Sequence, residues 1–258
     1  MQQRSGTNEI PAMEAAQAQL RIDLAAAHRL AHMQGLSEGI FNHLTARVPG
    51  VEGRYYQIPF GLHWSEITAS CFLEVGYDGK VVAGEGEAEL SGVCIHAPMH
   101  RLASHAACVF HTHMPFASAL TRLEDQTLKP TGQTEAGMIK NIAYDEDYPG
   151  PAFTMDEGER LTRILGDKRV LLMANHGVVT VGKTVAEAYD LLYYLERAAQ
   201  VQVYAMWTGR PLRPLKQPAI EVTARTIGGP QYYGKPNWEH HFNALKRMLD
   251  RKEPDYKD

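Results

Sequence analysis

Two histidines one residue apart, His111 and His113, close an apolar run that begins near Ala107, and a third, His176, follows a second apolar run, Val170–Met173. If those runs are strands, His111 and His113 share a face, because side chains alternate across a strand with period two. Neutral imidazoles are the commonest zinc ligands and also suit iron, nickel and copper. An open catalytic site of this kind uses three protein ligands and leaves room for water or substrate. Spacing alone leaves several choices for the third ligand, but His176 lies where a second buried run ends in a turn before Gly177. The plainer alternative is that all three are loop or core histidines bonded to backbone, with Asn175-His176-Gly177 serving only as a turn.

The surrounding pattern supplies elements that would bring the histidines together. An Ala-rich helix spans 13–34, with Gly35 to end it, and residues 1–13 read as a loose tail because Gly6 and Pro11 break any periodicity. Short alternating runs at 44–48, 55–58, 72–75 and 81–83 predict strands punctuated by Pro49, Gly50, Pro59, Gly61 and Gly79. They form a meander rather than repeated strand-helix-strand units. Ser91 can cap a helix over 91–104, and 107–111 is a buried strand. Thr154 with Glu157 and Thr184 with Glu187 have capping-box spacing, predicting helices over 154–165 and 184–207 on either side of the strand 170–173. Helical spacing returns over 238–251 after a Pro-rich stretch.

Composition narrows the class. The chain has 258 residues, 44% of them hydrophobic, enough to bury a core without staples. Its 26 Lys and Arg against 30 Asp and Glu give a net charge of -4, so a nucleic-acid partner is not expected. Cys71, Cys94 and Cys108 are too few and too scattered for a disulfide framework or a thiolate zinc site, which points to the reducing cytoplasm. No apolar stretch resembles a signal peptide or a membrane span.

Four stretches in order, Asn42-His43-Leu44-Thr45-Ala46-Arg47, Ile58-Pro59-Phe60-Gly61, Val109-Phe110-His111-Thr112-His113 and Leu171 to Val178, resemble the class II aldolases and the head domain of adducins. The resemblance implies an α/β fold: a single-domain α/β/α layered sandwich around a central, largely antiparallel sheet. It places the domain at 14–214, with 215–258 as a C-terminal extension like that of adducin-like bacterial members. It implies one divalent metal ion per chain, Zn2+ first, with Fe2+ or Mn2+ as alternatives, held by His111, His113 and His176. It also implies a homotetramer acting on a small-molecule substrate. Adducin heads generally lack the metal histidines.

The substrate pocket departs from the aldolase pattern. Asn42, His43, Phe60, Gly61 and Ser91 fall at pocket positions, but His43 replaces a usual Asn, Phe60 a Thr or Ser, and Leu90 one of two serines. Gly92 stands where aldolases carry the proton-transferring glutamate. Phe and Leu cannot donate to a phosphate, so the expectation is a metal-dependent lyase, a decarboxylase or carbon-carbon lyase, on a small non-phosphorylated oxo-acid or hydroxy-acid. The alternatives are a non-haem iron oxygenase acting on an arylpyruvate-like acid and a non-catalytic adducin-like scaffold. His96, one helical turn after Gly92, is the candidate catalytic acid or base, expected to face the metal and to titrate near neutrality.

Overall fold

The computed structural model describes residues 9–227 and 235–258, so residues 1–8 of the expected tail lie outside the described residues. Helix α1 (Glu9–Met33) starts before the expected position 13. Pro11 sits in its first turn, where a missing N–H costs nothing, so the residue read as a breaker is a helix starter. The helix ends as expected at Gly35, whose φ of 69° lets Leu36 N–H reach back to Ala31 O at 2.9 Å.

The strands β1 (His43–Arg47), β2 (Arg54–Gln57), β3 (Leu73–Gly76), β4 (Val81–Ala83), β5 (Cys108–Thr112), β6 (Ile142–Asp145), β7 (Val170–Met173) and β8 (Val178–Gly182) form one sheet. Their order is β4-β3-β2-β1-β5-β8-β7-β6, and every pair is antiparallel except β6 with β7. β1 begins one residue earlier than the sequence pattern predicts, which sets His43 opposite His111.

Period-two alternation divides the sheet between two cores. Cys108, Phe110, Val170, Leu172 and Val178 point into the larger one, beneath α1 and the long helix α6 (Val185–Trp207). Val109, Leu171, Met173, Val179 and Val181 point the other way, against α2 (Leu90–Leu102) and α5 (Met155–Leu165). The molecule is therefore the three-layer α/β/α sandwich expected. The short helices α3 (Pro115–Leu120) and α4 (Gln133–Met138), strands β6 and β8, and helix α7 (Gln217–Ile227) were not anticipated.

The helix starts differ in detail from the expected caps. Glu89, not Ser91, caps α2, accepting from Gly92 N–H at 2.6 Å, because the helix begins at Leu90 and leaves Ser91 inside its first turn. Thr154 precedes α5 without a side-chain cap bond, since Glu157 is drawn to Arg160, which also holds Asp145 of β6. Thr184 does accept from Glu187 N–H at 3.1 Å, but the Glu187 carboxylate turns to Lys183 N–H and Arg169 instead of closing the box.

The expected C-terminal extension packs back on the same core. Phe242 and Leu249 of α8 (Asn237–Lys252), together with Tyr256, are buried in the larger core. Arg29 of α1 pairs with Glu253 at 3.0 Å and Asp255 at 2.8 Å. No described helix is long and apolar enough to cross a membrane.

Candidate metal centre

His111 lies buried in β5, and its Nδ1–H donates to Val178 O of β8 at 2.9 Å. A carbonyl oxygen only accepts, so Nδ1 carries the proton of the neutral ring and Nε2 is bare. Burial first, then the neighbouring His176 and His113, holds the His111 pKa well below its ordinary value, so the ring is neutral. His113 repeats the arrangement with a stronger acceptor: its Nδ1 lies 2.5 Å from Glu38 Oε2.

The two Nε2 atoms stand 3.1 Å apart. Two imidazole nitrogens that close share either a proton or a cation, and a cation takes that place once neither carries a proton. His176 completes the cluster with ring centroids 4.9 Å from His111 and 4.8 Å from His113, and the three ligand atoms all lie within 4.8 Å of one another. An ion bound tetrahedrally at the usual zinc–imidazole distance sets adjacent nitrogens about 3.3 Å apart. The three side chains fit a divalent ion.

Local backbone chemistry delivers His176. Asn175 adopts a φ of 56°, a left-handed conformation that Asn tolerates, and the turn closes with Met173 N–H on Gly177 O at 2.9 Å. A Cβ on Gly177 would stand 2.5 Å from Thr112 O and 2.6 Å from His113 Cδ2. Glycine is what allows this turn to approach the end of β5. Burial, aided by His113, His43 and Arg122 and opposed by Glu157, lowers the His176 pKa to about 4.

The other expected site residues are placed as follows. Asn42 is fully buried, and its Oδ1 accepts from Glu38 N–H at 2.7 Å and His113 N–H at 3.3 Å, so that oxygen serves the backbone. His43 stacks against His111 at 5.9 Å and brings Nε2 within 2.9 Å of Glu89 Oε2, at ion-pair distance though off the line of a hydrogen bond. Phe60 is exposed and packs on Phe41 at 6.1 Å, while Gly61 turns with a φ of 96°. Ser91 Oγ donates to Glu89 Oε2 at 2.7 Å.

His96 requires a correction. It is fully buried behind His43, with ring centroids 5.5 Å apart, and its Nδ1 lies 2.6 Å from Thr45 Oγ1. Thr45 also meets His100 Nε2 at 2.8 Å, and His100 Nδ1–H donates to Ala106 O at 2.9 Å. Reading protons back from that carbonyl, the Thr45 hydroxyl donates to His100 and accepts from His96. Burial, with His43 and His100 nearby, holds the His96 pKa well below its ordinary value, so it does not titrate near neutrality.

Sequence reasoning missed Glu89 and Glu38. Burial pushes the Glu89 carboxyl up, but His43, Ser91 and Gly92 N–H outweigh it and hold the pKa at about 2. A carboxylate two residues before a predicted helix cap was a usable signal for Glu89. Nothing in the spacing marks Glu38, which comes to His113 through the fold.

This fold and histidine cluster define a protein of the class II aldolase type. The chain belongs to the class II aldolase and adducin N-terminal domain family, whose sequence model matches residues 22–203. A Caulobacter vibrioides protein assigned to the class 2 aldolases is 35% identical over 243 residues, covering 93% of this chain and 92% of that protein. Mouse alpha-adducin is 34% identical over 245 residues, which cover 90% of this chain and 33% of adducin. A crystal structure of an aldolase II superfamily protein from Pseudomonas syringae superposes with a TM-score of 0.86 at 33% identity, covering 94% of this chain and 96% of that one.

Proposed function

We propose that the chain is a zinc-dependent lyase, a decarboxylase or carbon-carbon lyase, acting on a small non-phosphorylated oxo-acid or hydroxy-acid as a cytoplasmic homotetramer. The observation that carries this reading is the convergence of the His111 and His113 Nε2 atoms, 3.1 Å apart, with His176 beside them. A divalent ion held there supplies Lewis-acid polarisation of a substrate carbonyl, the chemistry that enolate-forming lyases need.

The protein's own residues support the choice of substrate. Glu89 places a permanent negative charge at the start of α2 and uses Ser91 Oγ and Gly92 N–H, donors that an incoming phosphate would need. Phe41, two residues before β1, and Phe60 are exposed and pack on each other, adding apolar surface. Val201, Tyr204 and Trp207, exposed along the last turns of α6, are the kind of apolar surface that a second copy covers.

Elemental analysis should find one divalent ion per chain, absent from His111→Ala. Anaerobic assays across oxo-acids and hydroxy-acids should detect carbon dioxide or a cleaved carbonyl product, with no retro-aldol turnover of fuculose or ribulose phosphates. Turnover that requires dioxygen would instead favour the iron oxygenase. The identity shared with alpha-adducin supports a second reading, a protein-binding module without turnover; a metal-loaded chain inert on the whole panel would favour it.

A further inference from the structure

We propose that Glu38 is the positioning residue of the metal centre, orienting His113 and strengthening it as a ligand; this rests on reading the three histidines as a metal site.

The two ligands on β5 and just beyond it differ in what stands behind them. His111 Nδ1–H meets a neutral backbone acceptor, Val178 O, at 2.9 Å. His113 Nδ1 meets a carboxylate oxygen of Glu38 at 2.5 Å. A carboxylate behind an imidazole fixes the proton on Nδ1, sets the plane of the ring and makes the opposite nitrogen a better electron donor. The opposite nitrogen here is Nε2, which faces His111 Nε2.

A lone contact from a side chain as open as that of Glu38, 64% exposed, would carry little weight by itself. Its backbone, however, is fastened to the same ligand by a second route. The buried Asn42 Oδ1 accepts from both Glu38 N–H and His113 N–H, so the segment that carries the carboxylate and the segment that carries the imidazole are held in register by one side chain. That tie lowers the entropy Glu38 loses on pairing.

The test compares zinc affinity of the full chain by competition with a chromophoric chelator in the unmodified protein, Glu38→Ala and Glu38→Gln, beside thermal unfolding of the metal-free forms. Glu38→Ala should bind zinc about 10- to 100-fold more weakly. Glu38→Gln, which keeps an acceptor but not the charge, should fall between the two, and the metal-free melting temperatures should agree. Imidazole nitrogen NMR of the zinc form should show the His113 Nδ1 proton resonance displaced in both variants, while that of His111 stays in place. Equal zinc affinity in all three proteins, with the unmodified chain binding one ion, would overturn the role of Glu38. An unmodified chain that binds no zinc would instead overturn the reading of the metal centre.

Discussion

A Cβ on Gly92 would stand 2.9 Å from His43 Cδ2 and 3.0 Å from Gln57 Nε2, so the space that a side chain at this position would enter is already filled by the His43 ring. His43 in turn is braced by Glu89 on one side and stacked on His111 on the other. Restoring the aldolase glutamate with Gly92→Glu should therefore expel His43 rather than create an aldolase. The expected cost is about 1–3 kcal/mol, as for overpacked cores generally, read by urea unfolding; a variant of unchanged stability would show that His43 has somewhere else to go. His96→Gln should act on the fold as well, costing about 1–3 kcal/mol through the Thr45 bond while zinc affinity stays within about twofold. A large loss of zinc affinity at unchanged stability would contradict that placement. Strand alternation puts His111 and His113 on one face, but spacing leaves the third position open, and the resemblance to the class II aldolases is what points to His176. The burial of His96 was not legible, because helical spacing says which residues share a face but not what stands between that face and the site.

At the scale of elements, α2 and α5 meet through backbone. A Cβ on Gly158 would fall 1.9 Å from Cys94 O and 2.8 Å from Pro98 Cγ, so only glycine permits this approach. Gly158→Ala should push α5 away from α2, lowering stability by at least about 1–3 kcal/mol and the melting temperature with it. An unchanged thermal unfolding curve would mean that the helices separate without cost. The same elements show what sequence conveys and what it withholds. Helices α1 and α8 announce themselves by periodicity, α2, α5 and α6 by capping-type residues at their starts, and strands β1 to β5 and β7 by short alternating or apolar runs between turn residues. α3 and α4, six residues each, span fewer than two turns and cannot. β6 is a half-buried run of four residues and β8 a buried run of five that follows directly on the turn 175–177, both too short to stand out. α7 begins Gln217-Pro218, where proline starts a helix as readily as it breaks one.

At the scale of the whole molecule, His28, His96 and His100 are buried, and burial outweighs the groups that would favour their charged forms, which sets the response to acid. Burial lowers the pKa of His28 and of His100 from 6.5 to about 3, against opposing bonds to Leu24 O and Ala106 O, and lowers His96 well below its ordinary value. Each of these rings is neutral in the fold but takes a proton in the unfolded chain once pH falls below about 6.5. The unfolded state then binds more protons, so stability falls as pH falls, by about 1.4 kcal/mol per pH unit for each such ring, and for His28 and His100 this continues down to the folded pKa of about 3. Above pH 7 both states are neutral and the effect vanishes. His111 and His176 add to it in the metal-free chain, so the measurement is made with chelator present and by comparison with a variant. His28 is the choice, since it lies away from the metal cluster, edge-on to Trp64 at 5.0 Å, with no hydrogen-bond partner for Nε2 among the described residues. Leucine at position 28 keeps an apolar body in that space and cannot titrate. Urea unfolding of His28→Leu should show a pH slope between pH 6 and 4.5 shallower than that of the unmodified chain by about 1.4 kcal/mol per pH unit. Parallel slopes would mean that His28 is protonated in the folded chain, and that the Leu24 carbonyl and its surroundings hold the charge after all.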